Sequence, residues 1–233
     1  MKSNNYTVRS LTDQSPQCLR CGTCCCKGGP ALHIQDRELV DSGKIALKWL
    51  FTIRQGEPAF DNVKGLLEPA ASDIIKIKGA DENDATCHFL DQDQVACRIY
   101  EARPSECRAL TCWDTQAIAD LYGKDRLART DLLSRLPGLH DLVAEHQERC
   151  SYSQVGKWAD MIRQGGDRRQ EAAAELSAII RYDQSLRQVA VERVRMDPDL
   201  LDFLFGRPIA TTLRAFNIKM IEKDSQTTIE PLF

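Results

Sequence analysis

The feature that most constrains this chain is the crowding of its cysteines into two groups. The first group sets five of the ten cysteines within nine residues: Cys18, Cys21, Cys24, Cys25 and Cys26. The second group begins about sixty residues later and consists of Cys87, Cys97, Cys107 and Cys112. Only Cys150 lies outside the two groups. Burial in a hydrophobic core does not explain nine cysteines at such short separations, whereas thiolates bind soft and borderline metals strongly. The two groups therefore predict a bound metal.

The first group has the spacing of a metal-binding loop. Cys18, Cys21 and Cys24 follow at i, i+3 and i+6, so the residues between them can form tight turns around one ion. Bacterial ferredoxins begin their ligand run in the same way, but the pair Cys25-Cys26 stands where that run would continue, so a ferredoxin fold is not indicated. Neighbouring residues of an extended segment point to opposite sides. One of the last three cysteines is therefore expected to be a bystander, and the spacing leaves open which one.

The second group begins on a predicted β-hairpin. Residues 86–90 and 95–100 are β-like runs separated by Asp91-Gln-Asp-Gln94. A three-residue loop would set Cys87 opposite Cys97 with both thiols on one face, and an even loop would set them on opposite faces. The sequence leaves the register open.

A short helix is predicted after the hairpin. Pro104 suits the first position of a helix and restricts Arg103 to an extended conformation. Cys107 then lies in the first turn, where the helix dipole is expected to favour its thiolate, assisted by Arg103 and Arg108 if they fold back. Cys112 lies more than one turn further on and could ligate only where the helix bends or ends.

Hydrophobic periodicity divides the chain into two parts. Residues 18–112 mix a helix-like stretch at 36–50 with the alternating Ile75-Lys76-Ile77-Lys78, and helical spacing dominates from Trp113 onward. The clearest helix is expected at about 168–195, with an apolar stripe that includes Leu186, Val189 and Val194. We therefore expect an α+β protein. A small cysteine-rich metal-binding half with a β-hairpin (1–115) precedes a mainly α-helical half (116–233), whose last residues form a strand or an ordered tail.

Charge and hydropathy exclude two classes of partner. The net charge of −3 arises from 31 basic and 34 acidic side chains, so the chain lacks the strongly basic field of a nucleic-acid binder. Residues 1–10 lack the apolar run of a secretory signal, and no stretch approaches the roughly 20 apolar residues that span a bilayer. We expect a cytoplasmic protein without nucleic-acid or membrane partners. Disulfides are uncommon in that compartment, so clustered thiols indicate metal ligands first and redox groups second.

The combination of cysteine motifs resembles a known family. Cys18-x-x-Cys21-x-x-Cys24-Cys25, then Cys87-His-Phe-Leu, then Cys97-Arg-Ile-Tyr-Glu-Ala-Arg-Pro-Ser-Glu-Cys107-Arg, is similar to the bacterial CxxCxxCC (YkgJ-like) cysteine-cluster family, whose members are thought to chelate zinc or iron. The resemblance covers roughly residues 15–115. It implies eight metal ligands: Cys18, Cys21, Cys24, Cys25, Cys87, Cys97, Cys107 and Cys112. The chain carries an extra Cys26, and the motif leaves open whether it replaces Cys24 or Cys25.

Three functions follow as hypotheses. The leading one is a protein whose N-terminal half holds an iron-sulfur cluster such as [4Fe-4S], or zinc, while the helical half offers a surface to a protein partner or substrate. The triple-cysteine spacing favours iron-sulfur narrowly. Flagellin lysine N-methylases resemble the same family, which suggests a metal-cluster-dependent enzyme using S-adenosylmethionine. This chain is short for those methylases and has no GxGxxG-type signal, so catalytic residues stay unassigned. A metal chaperone is the third hypothesis.

Other polar residues are expected to have structural roles. His146 and Cys150 have the i, i+4 spacing of some metal sites but share an apolar helix face with Leu139, Leu142 and Val143, so core packing is favoured. His88 would point away from Cys87 in a strand. Asp36 is expected in a first helical turn or as a cap, and Arg54 with Glu57 is expected as a surface ion pair rather than a pocket lining.

Overall fold

The computed structural model describes residues 18, 20–81, 84–134, 136–223 and 226–233. The prediction made for residues 1–10 lies outside these ranges. Among the described residues, the first half holds short hairpins and the second half is mainly helical, so the α+β prediction is confirmed. No described helix is both long enough and apolar enough to cross a membrane.

The described strands form two-stranded antiparallel sheets, in which β1 pairs with β4, β2 with β3, β5 with β6 and β7 with β8. Their bounds are β1 (Leu50–Ile53), β2 (Pro58–Asp61), β3 (Leu66–Pro69), β4 (Ile74–Ile77), β5 (Leu90–Asp91), β6 (Ala96–Cys97), β7 (Ile218–Lys223) and β8 (Gln226–Pro231). The final hairpin confirms the strand expected near the C-terminus. The boundary predicted at residue 115 stays a prediction.

The α-helices are α1 (Arg37–Asp41), α2 (Ser105–Ala109), α3 (Gln116–Leu121), α4 (Arg129–Leu133), α5 (Pro137–Arg149), α6 (Tyr152–Gln164), α7 (Arg169–Glu192), α8 (Leu201–Phe205) and α9 (Ile209–Thr212). Short 3-10 helices lie at Cys25–Lys27, Ile34–Asp36, Leu47–Trp49, Tyr100–Ala102, Pro198–Leu200 and Leu213–Phe216. The helix-like stretch expected at 36–50 is not one continuous helix, because residues 42–46 separate α1 from the 3-10 helix Leu47–Trp49. It ends after α1 because Gly43 turns the chain with φ +75°, and Leu50 already begins β1.

The sheet of β1 and β4 supports the cysteine-rich part. Leu50 lies opposite Ile77 and Thr52 lies opposite Ile75, and these inward side chains are buried. The alternation read from residues 75–78 is therefore confirmed as strand pattern. The segment after the first cysteine group runs along β4, where Leu32 donates its backbone N–H to the Ile75 carbonyl at 2.8 Å. This contact fixes the position of the cysteine loop relative to the sheet.

One hydrophobic core joins the two parts of the chain. It combines side chains from the first half (Leu32, Leu50, Ile75, Ile77, Cys87 and Phe89) with side chains from the second half (Val143, Ala190, Phe203, Leu204 and Phe205). A second core lies among α6, α7 and the last hairpin and includes Val155, Leu176, Ile180 and Ile229. Each fully buried large apolar side chain contributes about 1.5–3 kcal/mol, so the shared core couples the stability of both parts.

Helix α7 is close to the expected helix at 168–195, but its apolar stripe ends early. Val189 and Val194 are about half or more exposed, at 49% and 65%. Ala190 is buried as the stripe predicts, but the charged residues Asp183 and Arg187 lie before it on the same inward face. The inward face of α7 thus changes from apolar packing to a buried ion pair. The spacing of apolar residues does not predict such a pair, because it takes no account of buried charged residues.

Replacing Gly206 by alanine should destabilise the fold more than replacing Gly43. Both glycines have left-handed φ, +71° and +75°, but a Cβ on Gly206 would lie 2.7 Å from Arg54 Cγ, whereas nothing lies within 4 Å of one on Gly43. Each substitution should lose about 1–2 kcal/mol for the backbone conformation, and Gly206→Ala about 1–3 kcal/mol more for overpacking. Urea unfolding measures both. Equal losses would contradict the close packing at Gly206.

Candidate metal centre

A tight turn presents the first cysteine group. Gly22 has φ +73°, and its carbonyl accepts the Cys26 N–H at 3.0 Å, so the loop folds back into the 3-10 helix Cys25–Lys27. A Cβ on Gly22 would lie 3.1 Å from Val95, in the turn of the β5–β6 hairpin. The Cys25 carbonyl accepts the backbone N–H of Cys87 at 2.8 Å. This hydrogen bond links the two cysteine groups directly.

The predicted hairpin is confirmed, and its loop is even. Leu90 pairs with Cys97 across a turn of residues 92–95. Alternation along a strand would then set Cys87 and Cys97 on opposite faces, but Cys87 is not on β5: it pairs with Gly79 in an isolated bridge, and its carbonyl accepts the Leu90 N–H at 2.9 Å in a turn. The turn breaks the alternation. Neighbouring Cys97 contributes to raising the pKa of Cys87, after burial, which is the largest cause.

The helix predicted after Pro104 is confirmed as α2, with Arg103 extended. The expectation that Cys107 favours its thiolate is wrong for this structure. Burial, with smaller contributions from neighbouring cysteines, raises the pKa of the Cys107 thiol far above its usual range. The two arginines are engaged elsewhere, since Arg103 stacks on Tyr100 at 3.7 Å and Arg108 donates to the Arg103 carbonyl. Desolvation therefore outweighs the dipole of this five-residue helix.

Five thiols from the two groups lie close enough for their charges to interact, and we refer to them as the inner thiols: Cys24, Cys25, Cys87, Cys97 and Cys107. The pKa of Cys25 is raised to about 12, mainly by burial and in smaller part by Cys24, Cys87 and Cys97. The pKa of Cys107 responds to the other four. Cys87 is buried, Cys25, Cys97 and Cys107 are partly buried, and Cys24 is exposed. The structure thus brings together five of the eight residues predicted as ligands.

The other three predicted ligands, Cys18, Cys21 and Cys112, are exposed, as is Cys26. We refer to these four as the outer thiols. A hydrogen bond with Thr23 at 3.2 Å lowers the pKa of Cys21. Helix α2 ends at Ala109, so Cys112 lies beyond it in the turn of residues 111–114. The condition set for Cys112, that the helix must end before it, is therefore met, although its thiol faces solvent.

The donor set fits zinc or iron in its chemistry. All ten cysteines are free thiols, and sulfur ligands suit Zn²⁺ and iron-sulfur clusters. Within the described ranges, however, no three side chains of His, Cys, Asp or Glu are arranged so that they could hold an ion as they stand. The inner thiols share one region without forming a closed set of ligands. His88 does not join them, because its ring stacks on Trp49 with centroids 5.1 Å apart.

Two carboxylates fix α2, and with it Cys107, against the segment after the first cysteine group. Asp36 lies in a first helical turn as expected, accepts the His33 N–H at 3.0 Å, and also accepts the backbone N–H of Ser105 at 2.8 Å. Buried Glu106 accepts the Ala31 N–H at 2.6 Å. The sequence did not single out Glu106. Its position beside Cys107 in the Arg-Pro-x-x-Cys element was the available signal.

A lysine lies beside the inner thiols and was also missed. Burial lowers the pKa of Lys76, whose charge interacts with Glu106, Cys107 and Cys87. Lys76 lies on β4 between Ile75 and Ile77, whose side chains point inward, so its own side chain leaves the sheet on the opposite face. A cation here stabilises thiolates by Coulomb attraction.

The structural role predicted for His146 and Cys150 is confirmed, since both are fully buried. His146 Nε2 lies 2.8 Å from Asp183 Oδ1. The surface ion pair expected of Arg54 and Glu57 is wrong, because both residues are fully buried and the Glu57 carboxylate instead accepts the Arg54 backbone N–H at 3.0 Å. Burial follows from residues far along the chain, which pack over Arg54 in the folded structure.

The buried histidine should make stability depend on pH. Burial lowers the pKa of His146 to about 4, below about 6.5 in an unfolded chain. The unfolded state therefore binds more protons between these values, and stability falls as pH falls through that window, by roughly 3 kcal/mol. Urea unfolding of the metal-free protein from pH 7 to pH 4 should show this loss.

His146→Gln should flatten the pH dependence of stability in this window. His140→Gln is the matched control, because the His140 side chain is 44% exposed and should leave the dependence unchanged. An undiminished pH dependence in His146→Gln would contradict a buried neutral imidazole.

Comparison with known proteins gives a family for the first half. Residues 17–124 match the family model CxxCxxCC, whose description reads "Putative zinc- or iron-chelating domain". The match contains both cysteine groups and confirms the resemblance seen in the motifs. Neither the curated proteins nor the solved structures contain a match to this chain.

Proposed function

We propose that the protein binds zinc or an iron-sulfur cluster through its inner thiols, in keeping with the match of residues 17–124 to the CxxCxxCC family model. The observation that carries the proposal is their convergence: Cys24 and Cys25 come from one turn, Cys87 and Cys97 from the hairpin region, and Cys107 from α2. Three separate elements, distant in sequence, direct cysteines to one region. Core packing alone gives no reason for that arrangement.

Metal binding at this site is coupled to proton release. The pKa values of Cys25, Cys87 and Cys107 are raised by burial, so these thiols are protonated in the metal-free chain near neutral pH. An incoming metal displaces their protons, and affinity rises with pH. Lys76 compensates part of the resulting negative charge. Thiolate-bound zinc would supply a fixed tetrahedral cross-link, and an iron-sulfur cluster would supply electron transfer.

The cysteines Cys18, Cys21 and Cys112 complete the ligand set implied by the family. They are exposed, and we propose that they join the inner thiols around the bound metal. Cys24 is the one member of the ferredoxin-like triple that already lies among the inner thiols. The spacing argument for iron-sulfur is weaker for that reason, and a four-thiolate site serves either metal.

Metal delivery is the second candidate function. It is favoured by the outer thiols, because exposed sulfur ligands can pass a metal to or from another protein by ligand exchange. Methyl transfer stays a hypothesis based on the resemblance alone. A chelator separates the first two functions: removal of a structural metal should unfold the cysteine-rich half, whereas a delivery protein should keep its circular dichroism spectrum.

Anaerobic purification with measurement of iron, acid-labile sulfide and zinc per chain tests the proposal. Cys87→Ser and Cys107→Ser should each lose most of the bound metal, because serine does not replace a thiolate ligand for these metals. The matched control is Cys150→Ser, whose residue is buried as Cys87 is but lies in the second core, and it should keep its metal. Full metal content in Cys87→Ser, or equal loss in the control, would contradict the proposal.

A further inference from the structure

A second group of buried charges lies away from the cysteines, where the end of β1 meets α5, α6 and α7. Its carboxylates each have an arginine partner: Asp73 with Arg129 at 2.6 Å, Asp183 with Arg187 at 3.0 Å, and Glu57 with Arg207. Arg54 is fully buried in this group yet pairs with no carboxylate among the residues that the structure describes. Arg187 has a second carboxylate partner, Asp202, at 3.5 Å, and none of these ion pairs involves Arg54.

The unpaired part of Arg54 is one complete edge of its guanidinium. Nη1 donates to Gln147 Oε1 at 3.4 Å, and the planar face lies over the Tyr152 ring, 4.6 Å from the centroid. Nε and Nη2 are buried and have no hydrogen-bond partner in the described residues. These two N–H groups lie side by side and match the spacing of two oxygens on a carboxylate or phosphate.

Packing holds the arginine in this position. Gly206 approaches so closely that a Cβ on it would lie 2.7 Å from Arg54 Cγ and 3.0 Å from Thr52 O. The guanidinium is therefore not free to turn toward solvent. A buried cation without a counter-charge is strongly unfavourable, and buried charges in proteins are ordinarily paired. A single water could accept from both N–H groups but would leave the charge uncompensated.

A neighbouring side chain also has a buried polar atom without a partner, in this case an acceptor, because His146 is neutral and its Nε2–H donates to Asp183. His146 Nδ1 is buried and has no hydrogen-bond partner in the described part of the chain. The Arg54 charge is one cause, after burial, of the lowered pKa of His146, so the two side chains are near each other. Unpaired donors and an unpaired ring nitrogen in one interior region indicate an occupant rather than one misplaced side chain.

We propose that the Nε–Nη2 edge of Arg54 binds a small oxyanion, a carboxylate or a phosphate group, in the interior between β1, α5 and α6. This site is separate from the cysteines and does not depend on the metal. Arg207 and Gln147 are the partly exposed members of the group and mark the side from which a solute enters. The bound anion accepts hydrogen bonds from the unpartnered edge of Arg54 and links the first half of the chain to its helices.

Thermal unfolding of the full-length protein tests the site with sodium phosphate and with sodium formate, each compared with sodium chloride at equal ionic strength. At ten times the dissociation constant, the midpoint should rise by roughly 3–6 °C, and it should rise further with the logarithm of the anion concentration. A rise with phosphate alone identifies a phosphate group, and a rise with formate alone identifies a carboxylate. No difference from chloride in either salt would overturn the proposal.

Variants assign the effect to Arg54. Arg54→Lys keeps the charge but lacks the two-point edge, so the rise should disappear. Arg149→Lys is the matched control, since this arginine is exposed and pairs with Glu145 on the helix surface, and it should keep the full rise. An undiminished rise in Arg54→Lys would overturn the assignment.

A measurement on the unmodified protein covers the case in which Arg54→Lys fails to fold. Crystals grown with the stabilising salt should show the anion within hydrogen-bond distance of both Nε and Nη2. Arsenate, the heavy analogue of phosphate, would mark the phosphate site by anomalous scattering. An ordered water in that place, or an adventitious ion only at the surface, would contradict the proposal.

Discussion

The hydrogen bond from the Cys87 N–H to the Cys25 carbonyl, 2.8 Å long, is the contact on which the cysteine-rich half depends. It joins two groups that are far apart in sequence, and the close approach of Gly29 to β4 holds the same loop on the sheet. A Cβ on Gly29 would lie 2.3 Å from the Ile77 carbonyl oxygen, so no larger residue fits there. Because both contacts involve backbone atoms, they fix the position of the loop and leave its thiols available for a metal.

Buried charged side chains have different roles in the two parts of the chain. Near the cysteines, Asp36 and Glu106 use their carboxylates to bind backbone N–H groups and so position α2. In the helical part, arginines pair with Asp73 and Asp183 inside the core. Breaking a buried pair leaves an uncompensated charge and is strongly destabilising. The shared hydrophobic core transmits such losses between the two parts.

The sequence predicted those features that depend on short-range patterns and missed those that depend on contacts between distant residues. The hairpin, α2 after Pro104 and the long helix α7 depend on short-range signals, and each was predicted. The orientation of Cys87 was not predictable, because a turn separates it from the strand. The high pKa of Cys107 and the burial of Arg54 depend on contacts with distant residues. Cysteine spacing identified the family and the region of the candidate site, whereas the division into inner and outer thiols required the fold.

X-ray absorption at the metal edge of the anaerobically purified protein tests the central claim most directly, because it reports the ligand atoms themselves. Binding by the inner thiols predicts a first shell of sulfur alone, at about 2.3 Å for zinc, with an additional iron–iron shell for a cluster. A first shell containing several nitrogen or oxygen ligands would contradict the account.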